Sequence, residues 1–358
     1  MAALALTAAL LLALTLSGAS VTLRVWAEAI GGPPAGPLMP YLAAAAVFAG
    51  ALFLVQELAA LPLAYYHGYI LEHRYGLSRE SRCEWARDHG KAAAIGLLFT
   101  LIAACAVYAA IYTVPRWWWL VAAGLATAAA VVLTNLLPTV LLPIFYRLEP
   151  LDRAELRDRL MALARAQRVQ ALGVYVWGLG DKTRKANAAL VGLGRTRRIL
   201  LSDTLLAEYS DDEIEVILAH ELAHHVHRDL WKAILVEAGV ALFAAWSADF
   251  ARRAAGPALG FSGPQDLAAM PLHLLGAGLA SVLAVPAVNA LSRQNERKAD
   301  RFALALTRRP GAFISAMRRL GAQNLAEPRP STLVRALFYT HPPVEDRIAA
   351  ARLNEAEP

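Results

Sequence analysis

The chain has 358 residues, 57% apolar and 18% charged, with a mean hydropathy of +0.41 and a formal net charge of +6. This is too apolar and too weakly charged for an ordinary soluble domain of that length. The excess of base does not mark a nucleic-acid surface, because it follows a membrane topology, and the two cysteines, Cys83 and Cys105, offer neither a disulfide framework nor a thiolate metal site.

Taken in chain order, apolar runs occupy residues 2–23, 39–66, 91–115, 117–146, 231–248 and 270–291. Each approaches the roughly 20 residues that cross a hydrocarbon layer, so about six spans are expected. The first run carries no charge. The small residues of "SGAS" would suit signal cleavage, but a basic leader is missing and the run is long for a signal peptide, so a retained helix is preferred. Arginine and lysine concentrate in 67–91, 147–231 and the tail after 291, whereas 24–38, 113–117 and 249–269 hold few. Alternate threading puts the basic segments on one side, which the positive-inside rule makes cytoplasmic, together with the N-terminus. An inner or plasma membrane protein is therefore expected. Trp117-Trp118-Trp119 reads as an interfacial aromatic belt. Glu57, Asn135, Glu237 and His273 lie in or near spans, where polar groups face a partner or a wet cavity.

These runs divide the chain into a four-span membrane region, 1–146, and a region 147–358 that contains the hairpin 231–291 and a helical tail, 292–358. Within the polar insert, "PLDRAELRDRLMALARAQRV" sets Leu156, Leu160, Leu163 and Ala164 on one helical face. "GVYVWGL", "NAALVGLG" and "RRILLSD" read as short strands. Ser210-Asp211-Asp212-Glu213 is a capping-box pattern that opens a helix.

That helix carries His220-Glu221-Leu222-Ala223-His224, an H-E-x-x-H pattern. Histidines four apart sit about 40° from one another on a helix, so both can reach one ion. Glu221 lies beside that face, placed to take a proton from a water whose pKa a bound metal lowers toward ~7. Glu296 and Asp300, also four apart, follow the last apolar run. The charge-derived topology returns them to the same side as 220–224. Glu296 can complete a His-His-Glu zinc set, and Asp300 can accept a hydrogen bond from a ligating imidazole. His225 and His227 fall off the ligand face. Asp229 suits either a carboxylate behind a ligand or a solvated helix end. His341, before Pro342-Pro343, suits a helix start as well as chemistry, and Arg347 could pair with an acid to anchor its helix.

These motifs, with "EHRYGLSRES" (72–81), "DKTRKANAALVGLGRTRRILLSDTLL" (181–206), Asn289, Ser292, Arg293 and "THPPVEDRI" (340–348), resemble the type-I CAAX prenyl endopeptidases, integral-membrane zinc metalloproteases related to the HtpX-like proteases. The resemblance implies a mainly α, polytopic helical membrane protein with an inserted α+β zincin-type metalloprotease domain, its helices ringing a water-filled chamber. It further implies one Zn2+ per chain on His220, His224 and Glu296, with Glu221 as general base and His341 helping to stabilise the oxyanion. Asn187 and Ala188 would begin an edge strand that binds substrate backbone by strand addition. The implied partners are membrane lipid and a peptide or protein substrate, lipidated or not, cut by CAAX-type C-terminal processing or by general membrane-protein turnover. The family's eukaryotic members have seven spans against the six counted here, and Ala223 stands where relatives often have Gly. A non-hydrolytic zinc-dependent binding or transport protein is the contrasting class, and Glu221 argues against it, since pure binding needs no base there.

Overall fold

The structure is a computed structural model that describes residues 2–32, 37–192, 194–327 and 329–356. The chain forms two compact units, one from 1–72, 81–129 and 236–284, the other from 73–80, 130–235 and 285–358.

The first unit is helical. Helix α1 (Ala2–Leu16) is followed by α2 (Ala19–Gly31), α3 (Leu38–Tyr65), α4 (Arg82–Thr113) and α5 (Trp118–Leu136). Among the described residues, five helical stretches are long and apolar enough to cross a membrane: Leu38–Arg74, Arg82–Thr113, Trp118–Leu136, Asp229–Ala255 and Leu267–Thr307. The first apolar run is not one straight span, which corrects the simplest reading of 2–23. The chain leaves α1 after Leu16, passes Gly18 in the left-handed region (φ +75°), and re-enters helix as α2, bent by 78°. Only the bent pair taken together brings the count to six. A left-handed residue ends a helix, and glycine adopts that conformation without a Cβ penalty.

The helices of this unit pack through Tyr41, Ala44, Phe48, Ile111 and Trp118, all buried. Trp118 differs from the expected belt. It is 3% exposed and its indole N–H donates to Asp249 at 3.2 Å, whereas Trp117 remains exposed. Of the polar groups expected in spans, Glu57 meets His89 at 2.7 Å and His273 lies against the Trp118 ring. The membrane hairpin approaches closely at Gly276, where a Cβ would stand 2.7 Å from the Ser247 carbonyl oxygen. Small residues permit such backbone contact.

The second unit carries a four-stranded sheet. Strands β1 (Leu148–Pro150), β2 (Val174–Trp177), β3 (Ala188–Val191) and β4 (Arg198–Ser202) lie in the order β1-β2-β4-β3. β2 and β4 are parallel; β1 and β3 pair antiparallel to their neighbours, so β3 is an edge. Helix α6 (Ala154–Ala166) buries Leu156, Leu160 and Ala164, the face its sequence sets out. After α7 (Asp203–Glu208), α8 (Asp211–Val226) starts at a complete Ser210/Glu213 capping box. α8 buries Ile214, Val216, Ile217, Leu218, Ala219 and Leu222, which point all round the helix, as a helix inside a core must. The long helices α9 (Asp229–Ala255) and α10 (Met270–Thr307) follow, then α11 (Pro310–Gln323), α12 (Thr332–Phe338) and α13 (Val344–Ala356).

Candidate metal centre

Because most of α8 lies inside the core, His220 faces protein rather than water, while His224 is half-buried. His220 is 8% exposed. His220, His224 and Glu296 of α10 bring one ligand atom each within 4.8 Å of one another. The two Nε2 atoms are 3.3 Å apart; Glu296 Oε2 lies 3.1 Å from His220 Nε2, and Oε1 lies 3.3 Å from His224 Nε2. Each imidazole meets a second carboxylate at its other nitrogen. His220 Nδ1 is 3.0 Å from Asp300 Oδ1, and His224 Nδ1 is 3.0 Å from Asp229 Oδ2.

These contacts test whether a metal fits. Asp300 and Asp229 select the tautomers in which Nδ1 donates, which leaves both Nε2 lone pairs facing the Glu296 carboxylate. Glu296 Oε2 is buried with no hydrogen-bond partner among the described atoms. Three acceptors at about 3 Å with no hydrogen between them want a cation, and two imidazoles with one carboxylate form a donor set suited to a catalytic zinc. Burial disfavours a charged His220, yet Asp300 and Glu296 outweigh it and its pKa is pushed up to about 9; against the same cost of burial, Glu296 and Asp229 raise the His224 pKa.

Glu221 lies beside the ligands on the wall of a cleft of about 700 Å³. Burial raises its carboxyl above the usual range, against the pull of the nearby imidazoles. Such a shift suits a general base that works nearer neutrality. His341 lies at the same cleft, its Nε2 3.5 Å from Glu296 Oε1 and its Nδ1 2.9 Å from the Thr340 hydroxyl. Asn187 and Ala188 line the cleft as well. His220, Glu221, His224, Glu296, Asp300 and His341 thus lie together in the second unit, and Asn187 and Ala188 line the cleft that His220, Glu221 and His341 also line.

Two residues left open in the sequence now have partners. Arg347 clamps Asp300 with Nε at 2.8 Å and Nη2 at 2.5 Å, tying α13 to α10. Asp229 is buried, and the Lys232 ammonium donates to its other oxygen at 2.9 Å. Arg228, in the left-handed region (φ +57°), turns the corner between α8 and α9 that presents Asp229 to His224. Spacing alone gave no way to choose between a solvated and a buried Asp229. His225 and His227 stay outside the metal group; His227 packs on the Phe302 ring. The sequence reading missed Phe313 and Met317, which form part of the cleft's apolar lining. Their spacing of four on "PGAFISAMRRL" is the signal that would have found them.

Comparisons with known proteins place the chain in a family. Residues 150–355 match the family model for peptidase family M48, and residues 1–147 match that for the CAAX prenyl protease N-terminal region, described as five membrane helices. An uncharacterized metalloprotease, YhfN, of Bacillus subtilis (strain 168) is 29% identical over 96% of this chain and 80% of its own length. A CAAX prenyl protease 1 homolog of Oryza sativa subsp. japonica is 24% identical over 85% of this chain and 72% of its own. The crystal structure of S. mikatae Ste24p shares the fold, with a TM-score of 0.77 and 20% identity over 92% of this chain and 79% of that one. The chain belongs to peptidase family M48 and is an integral-membrane metalloendopeptidase.

Proposed function

We propose that one zinc ion per chain, held by His220, His224 and Glu296, serves peptide-bond hydrolysis at the cytoplasmic face of the membrane. The observation that carries this reading is the convergence of the buried His220 and Glu296 with the half-buried His224 beside Glu221. When bound, the ion supplies Lewis acidity that polarises the scissile carbonyl and acidifies a water. Glu221 takes the proton from the attacking water and returns it to the leaving amine. His341, whose Nε2 approaches the same Glu296 oxygen as His224, donates to the oxyanion as it forms. Asp300 and Asp229 hold the ligand imidazoles in their tautomers, and Arg347 holds Asp300.

Substrate backbone adds to β3. Asn187 is tied inward, its N–H donating to the Ser202 hydroxyl and its carbonyl accepting from the Ser202 N–H, both at 2.9 Å. Strand alternation then turns the Ala188 N–H and C=O to the open edge, free to pair with an extended peptide. Functionally, 1–146 forms the membrane region and 147–358 the peptidase region. The arginine-rich segments 67–91 and 147–231 support the cytoplasmic placement, and they do so whether or not the bent α1–α2 pair spans.

The names of several relatives support C-terminal processing of prenylated CAAX substrates. Capture in native membranes by the Glu221→Gln protein, read by mass spectrometry, tests this. Prenyl-cysteine peptides or CAAX C-termini among the captured species are the expected result. Their absence, with ordinary membrane-protein fragments in their place, would point to general turnover instead.

A further inference from the structure

The apolar stretch of α10 ends at Leu291, and the next two turns bring Arg293 and Arg297. These arginines and Arg335 of α12 line one pocket of about 220 Å³ together with Ala290, Thr332 and Ala336. Among the described residues no carboxylate lines it. Arg293 is 9% exposed, and its Nη1 donates to the backbone carbonyls of Arg335 and Tyr339 at 3.0 and 2.6 Å. Those acceptors fix the guanidinium in place without neutralising it. Arg335 approaches one acid, Asp346, at 3.7 Å, and Arg297 has no ion-pair partner among the described residues. Three like charges around a small concavity, with one distant counter-charge, make a receptor for an anion.

The surroundings narrow what the anion belongs to. Val288 on α10 and Leu333 on α12 are exposed, 36% and 69% respectively. Apolar side chains therefore flank the arginines just past the end of a membrane-compatible helix. Phosphate beside hydrocarbon is the chemistry of a phospholipid, and basic pockets at the ends of spanning helices are where such headgroups bind. We propose that Arg293, Arg297 and Arg335 bind the phosphodiester headgroup of an anionic phospholipid, with its acyl chains along Val288 and Leu333. The proposal stands apart from the metal centre and does not depend on the substrate.

The full chain in nanodiscs of mixed phosphatidylcholine and phosphatidylglycerol, released for native mass spectrometry, tests it. The wild type should retain phosphatidylglycerol in preference to phosphatidylcholine, and R297Q/R335Q should lose that retention by roughly tenfold or more. Zinc content and a monodisperse elution profile check that the variant is folded; R297Q alone, at a side chain with no ion-pair partner, replaces it if it is not. Retention unchanged by the substitutions would overturn the site. Inorganic phosphate that binds as tightly as dihexanoyl phosphatidylglycerol would overturn the lipid assignment in favour of a free-phosphate site.

Discussion

Both units bury carboxylates, but Asp266 and Asp249 of the first are surrounded differently from Glu296 of the second. In the first unit, Asp266 receives Arg24 on both oxygens at 3.0 Å and the backbone N–H groups of Ser262 and Ala268, each at 3.0 Å. Asp249 collects Trp118, Arg252 and Arg253. Each oxygen of these two acids meets a donor. In the second unit, Glu296 is as deeply buried and faces two imidazole lone pairs, with Oε2 left without a hydrogen. A satisfied acid holds loops and helices together; Glu296 beside two histidines makes a donor set that suits a cation. Burying charge is costly in either place, and only the second arrangement offers a return in chemistry.

Breaking each arrangement should give a different readout. His341→Ala is expected to lower kcat by about 10²–10³ with zinc content unchanged, in a peptide-cleavage assay with parallel metal analysis. Asp300→Asn, which removes the carboxylate behind His220, should weaken zinc binding by about 10–100-fold in a chelator competition. Asp249→Asn should act on stability alone. It costs on the order of 1–3 kcal/mol through lost charge-assisted hydrogen bonds, seen as a lower Tm, and leaves zinc affinity as it was. If Asp249→Asn weakened zinc binding, the contrast between the two buried networks would fail.

Much of this contrast can be read in the sequence, because its strongest signals are local. His220, Glu221 and His224 need only helical spacing, and Ser210 and Glu213 announce the helix that carries them. The face of α6 follows from its 3.6-residue period. What escaped depends on long-range partners. Trp118 looks like a belt residue until Asp249, 131 positions later, accepts its N–H. Arg347 pairs with an acid 47 positions earlier. β1 is three residues ending in Pro150, too short to show a period. The bend at Gly18 was hidden because hydropathy averages across a break in backbone direction. Glu296 was found by a different route: charge asymmetry gave a topology, and the topology placed it on the side of the histidines.

The central claim is that His220, His224 and Glu296 hold a zinc ion for which Glu221 is the base. Glu221→Gln, purified as the full chain, tests it most directly by zinc stoichiometry and turnover of a susceptible peptide in the same sample. The account predicts zinc bound as in the wild type, with turnover reduced by at least about 10²-fold. Wild-type turnover from the zinc-loaded variant would contradict it.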